Sequence, residues 1–87
     1  MEKQSGITSN GMVSVNELTV GVKGTITFVT GGYGFIRKLD VMGVRIGMEI
    51  TVVSRQWMKG PVTIRFGNTE VALGYGMAGK ILVKKPE

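Results

Sequence analysis

Apolar and polar residues alternate along most of this chain, and at one place the period changes. From Lys23 to Thr30, Ile26 and Phe28 fall on one face and Thr25 and Thr27 on the other, which predicts a half-buried strand. Met48, Ile50 and Val52 repeat the pattern against Glu49 and Thr51, in a strand that runs on towards Trp57. Val62, Ile64 and Phe66 alternate with Thr63 and Arg65. Thr69–Leu73 and Lys80–Val83 complete a set of five strands. Gly67-Asn68 is a two-residue link between two such runs and predicts a type II′ hairpin. Lys59-Gly60-Pro61 reads as a turn and Gly74–Gly79 as a glycine-rich bend.

The change of period comes after Gly31-Gly32-Tyr33-Gly34, where glycines let the chain turn sharply. Phe35, Leu39 and Met42 then recur at i, i+4 and i+7, with Ile36 beside them, which marks one face of a helix of two to three turns. Arg37, Lys38 and Asp40 fall off that face. Gly43 stands where a left-handed C-cap ends a helix, and Gly47 makes a second turn before the strands resume.

Five short strands do not bury two separate sheets, but curled into a small barrel they close most edges around one core. The predicted fold is therefore mainly β, a small barrel of about five strands with one inserted helix. Its expected core is Ile26, Phe28, Leu39, Met42, Ile50, Val52, Val62, Ile64, Val71, Leu73 and Ile81. Residues 1–14 are polar and rich in Gly, Ser, Asn and Thr, and read as a flexible tail. The barrel domain is placed at residues 15–85.

Composition narrows the chemistry. The 87 residues suit one domain with a small core. Cysteine and histidine are both absent. Without them there is no thiolate nucleophile, no ordinary general base near neutral pH and neither of the best transition-metal ligands. An enzyme is therefore not expected, no catalytic residue is assigned, and no cofactor is expected. Asp40, Glu49, Glu70 and the methionines are the remaining metal-ligand candidates, too dispersed in sequence to assign a metal site. No apolar run approaches the length of a membrane span, and residues 1–6 carry no apolar signal core, so a cytoplasmic protein is expected. The formal net charge of +5 is in the range small domains carry for solubility alone, which is the preferred reading; as a binding signal it favours nucleic acid, an anionic membrane surface or an acidic protein face.

Two glycine motifs have functional look-alikes. Gly74-Tyr75-Gly76-Met77-Ala78-Gly79 fits G-x-G-x-x-G, but a dinucleotide site also needs a following helix, a parallel strand and an acidic residue about 20 positions on. Eight residues follow Gly79, so the bend reading is preferred. Gly31–Gly34 lacks the Walker pattern and reads as a strand-to-helix turn rather than a phosphate cradle. The basic residues are scattered and interrupted by acids. A nucleic-acid-binding barrel, stacking bases on Tyr33, Trp57 or Tyr75, is the alternative reading, although nucleic acid is not the expected partner. A reader of proline-rich peptides would need more free aromatics than the chain offers.

Two blocks carry a family resemblance. The first is Gly31-Gly32-x-Gly34 with Leu39-x-x-Met42-Gly43-Val44-x-x-Gly47; the second is Gly60-Pro61-Val62-x-Ile64 with Val71-Ala72-Leu73-Gly74-x-Gly76-Met77-Ala78-x-Lys80-Ile81-x-Val83. Together with Leu18-x-Val20-Gly21-x-x-Gly24, they resemble the FeoA domain of ferrous iron transport, from about Leu18 to Val83. The resemblance implies an SH3-like barrel with a helix after the first barrel strand. It implies an accessory protein for FeoB, a membrane transporter with a cytosolic GTPase domain, with weak transition-metal binding. The same domain type also ends iron-dependent repressors of the DtxR class, where it docks on other domains. On this reading the partner surface is Arg37, Lys38, Leu39, Met42, Val44, Arg45, Trp57 and Met58, an apolar groove with a basic rim. Exposed strand edges leave room for a weak homo-oligomer.

Overall fold

Eight elements follow one another in the computed structural model, which describes residues 11–86: β1 (Met12–Ser14), β2 (Lys23–Val29), α1 (Tyr33–Val41), β3 (Glu49–Arg55), β4 (Val62–Phe66), β5 (Thr69–Leu73), α2 (Tyr75–Ala78) and β6 (Ile81–Lys84). The strands form one antiparallel sheet in the order β1-β6-β2-β3-β4-β5. Buried residues from all six strands meet in a single cluster, from Val13 on β1 to Leu73 on β5, so the sheet curls around one core. The expected SH3-like shape is present, but the hydrogen-bonded ladder does not close, and β1 and β5 remain as edges. Side chains tie the segment after β1 to β3 and α2 instead. Arg55 Nη2 donates to the Val15 and Leu18 carbonyls, and Asn16 Nδ2 donates to the Tyr75 carbonyl at 3.0 Å.

Several expected features hold. Ile26, Leu39, Ile50, Val52, Val62, Ile64, Leu73 and Ile81 are all buried. The Gly67-Asn68 hairpin has φ +58° at Gly67 and no positive φ at Asn68, as a type II′ turn requires. Thr69 pairs with Phe66 across it.

Other features differ, each for a local reason. Phe28 is 52% exposed, because β2 carries a bulge against β6 between Ile26 and Phe28. One extra residue there shifts the inward face, and Val29 is buried in place of Phe28. Met42 and Val71 pack on the core but are only half-buried. Val13, Val15, Leu18, Val44, Ala78 and Val83 join the core. The ordered chain begins before Val15: Met12, Val13 and Ser14 pair with Lys84, Val83 and Leu82, which adds a sixth strand. The rest of the expected tail, residues 1–10, lies outside the described residues. The Gly74–Gly79 bend contains one helical turn, α2, and β6 beyond it runs antiparallel to β2. That arrangement is not the parallel βαβ unit of a dinucleotide site.

Candidate functional site

Helix α1 is held at both ends by backbone. At its start the Gly32 carbonyl accepts the Phe35 and Ile36 N–H groups at 3.1 and 3.2 Å. At its end Gly43 has φ +90°, a conformation that costs an L-residue about 1–2 kcal/mol. The Gly43 N–H donates to the Asp40 carbonyl at 3.0 Å, and the Val44 N–H donates to the Leu39 carbonyl at 2.8 Å. This pair of bonds is the Schellman motif, and the buried Leu39 and Val44 supply its hydrophobic contact. Asp40 and Arg45 close across the turn at 2.6 Å. The chain therefore leaves the helix in one fixed direction.

Beneath the helix this geometry leaves a groove of about 350 Å³. Val29, Leu39 and Val44 form its floor, and Tyr33, Ile36, Arg37, Asp40, Arg45 and Ile46 form its walls. Ile36 and Ile46 are 42% and 60% exposed, which is unusual for isoleucine. The Arg37 guanidinium lies 6.0 Å from the Tyr33 ring centroid. The result is an apolar trough with cations at its lip.

The structure brings together four of the residues expected at the partner surface: Arg37, Leu39, Val44 and Arg45. Leu39 and Val44 enter as buried floor rather than as exposed anchors. Lys38 and Met42 are on or beside α1 but do not line the groove. Trp57 and Met58 are also outside it and line a separate shallow depression with Arg55 and Gln56. The expectation of one continuous groove is corrected here: β3 ends at Arg55, and a tight turn carries the Trp-Met pair away. Sequence reasoning missed Val29, Tyr33, Ile36, Asp40 and Ile46 as groove residues. The signal for Ile46 was an isoleucine caught between Arg45 and Gly47, in a turn rather than a strand.

That turn has its own character. The Gly60 N–H donates to the Trp57 carbonyl at 3.2 Å. The two residues between, Met58 and Lys59, have φ +59° and +62°. Two consecutive positive φ values mark a type I′ turn, which favours Asn-Gly. A Cβ on Gly60 would lie 2.6 Å from the Gln56 Cβ, so the loop closes only with glycine there.

The candidate carboxylate ligands do not converge. Asp40, Glu49 and Glu70 lie on α1, β3 and β5 and contact Arg45, Lys23 and Arg65 at 2.6, 3.9 and 3.3 Å. Among the described residues, no three His, Cys, Asp or Glu side chains meet. No described helix is long and apolar enough to cross a membrane.

Comparison with known proteins places this geometry. A candidate Fe(2+) transport protein A of Methanocaldococcus jannaschii is 36% identical over 59 residues, covering 68% of this chain and 70% of that protein. The crystal structure of an iron uptake regulatory protein, FeoA, superposes with a TM-score of 0.79 at 33% identity, over 86% of this chain and 99% of that one. A manganese-dependent transcriptional repressor shares the fold at a TM-score of 0.81 and 18% identity, over 91% of this chain and 44% of the repressor. The FeoA domain model matches residues 13–85, from β1 through β6, and with that span the chain belongs to the FeoA domain family.

Proposed function

We propose that this chain is an accessory protein of ferrous iron transport that docks, through the α1 groove, on the cytosolic GTPase domain of a FeoB-type transporter. The observation that carries the reading is the groove itself: an apolar floor and exposed isoleucine walls at the end of a helix fixed by its capping motif. A few apolar anchors in such a trough supply affinity, and Arg37 and Arg45 on its lip steer an acidic partner surface. Docking uses no nucleophile or general base, which suits a chain without His or Cys. The dispersed, ion-paired carboxylates give no reason to route iron through this chain.

Calorimetric titration of the purified chain into the transporter's GTPase domain tests the proposal. Ile36→Asp places a charge on the groove wall and abolishes the heat of binding, while circular dichroism still reports a folded domain. Arg37→Ala lowers the association rate and its salt dependence more than the final affinity. Wild-type affinity in a folded Ile36→Asp variant would refute the groove as the docking site.

A further inference from the structure

The β3–β4 turn serves neither the core nor the groove. Its two central positions call for Asn-Gly, yet they carry Met58 and Lys59 in left-handed backbone. Trp57 and Met58 are 87% and 90% exposed, so neither side chain is there for packing. A local rule broken with no gain in folding points to a role outside the fold. The tip also belongs to the basic part of the chain. From Glu49 to Pro86 there are six cations, Arg55, Lys59, Arg65, Lys80, Lys84 and Lys85, against two acids, Glu49 and Glu70, which are paired with Lys23 and Arg65. Lys59 lies on the tip, 6.0 Å from the Tyr75 ring centroid.

We propose that the Trp57–Met58 tip inserts into the interfacial region of an anionic phospholipid bilayer, with Lys59 at the level of the headgroups. Tryptophan favours that depth because its ring is apolar and its N–H remains in reach of water and headgroups. A methionine beside it adds apolar area, and the cations add attraction to the anionic surface. Two such signals together are what stable peripheral binding takes. The charge favours lipid over a protein pocket, since the turn and β4 carry Lys59 and Arg65 and no acid, and the one acid of β3, Glu49, stands at the far end of that strand. This proposal is independent of the docking reading, because the groove and the tip share no residue.

Trp57 is the sole tryptophan, so its emission reports on the tip alone. The full chain is mixed with phosphatidylcholine vesicles, with and without phosphatidylglycerol, and followed by fluorescence and flotation. The expected result is a blue shift and flotation with the phosphatidylglycerol vesicles only. Trp57→Ala lowers flotation roughly tenfold. Lys59→Gln lowers it about fivefold. Met58→Gly lowers it too, in a turn that glycine fits better, so misfolding is not the cause. Ile36→Asp leaves it unchanged. Unshifted emission with every vesicle overturns the proposal, whether or not the protein floats, since flotation alone would then be charge adsorption. A shift produced by the GTPase domain and not by vesicles also overturns it and assigns the tip to a protein.

Discussion

The end of α1 and the β3–β4 turn solve the same geometric problem in opposite ways. Both reverse the chain through left-handed backbone. At the helix end the residue with positive φ is Gly43, the orphan carbonyls of Asp40 and Leu39 are satisfied, and Leu39 and Val44 are buried. At the turn the left-handed residues are Met58 and Lys59, and the largest side chains point to solvent. The first reversal is built for stability. The second gives up stability to present a particular pair of side chains, and such conflicts between local preference and observed structure gather at functional sites.

Substitutions can break or sharpen this contrast. The largest effect is expected for Leu39→Ala, which empties a buried position under the helix end and costs about 2–5 kcal/mol in urea denaturation. Gly43→Ala keeps the core but forces a Cβ into φ +90°, and a loss of about 1–2 kcal/mol is expected from the same measurement. Lys59→Gly has the opposite sign: relief of the left-handed lysine raises stability by roughly 0.5–1 kcal/mol, seen as a higher melting temperature. A loss in that variant would show that the turn is not strained and would remove the contrast. The smallest change belongs to Arg45→Ala. It removes an ion pair whose side chains are 62% and 59% exposed, so less than about 0.5 kcal/mol is expected, fading as salt is raised.

The sequence showed the helix end clearly because its signals are local. The i, i+4, i+7 spacing of Phe35, Leu39 and Met42, followed by Gly43, specifies a face and a cap within nine residues. The Gly67-Asn68 hairpin was legible for the same reason. Features set by distant partners were not. The bulge that exposes Phe28 depends on the register of β2 against β6, more than 50 positions away. β1 is three residues long in a polar stretch, and only its pairing with β6 makes it a strand. α2 is a single turn, too short for any period to show. The site is half legible: the helix end places Arg37, Leu39, Val44 and Arg45 together, but the alternation of β3 reads as reaching Trp57 and hides the turn that carries Trp57 and Met58 elsewhere.

The position of β6 bears on how the molecule folds. It lies between β1 and β2, so the last strand to be made must slot between the first two. Until β6 arrives, Val13 lacks the strand it pairs with, and β2 is paired on its β3 side alone. The entropy of bringing such remote segments together must be paid before their contacts reward it, which makes for slow, all-or-none assembly.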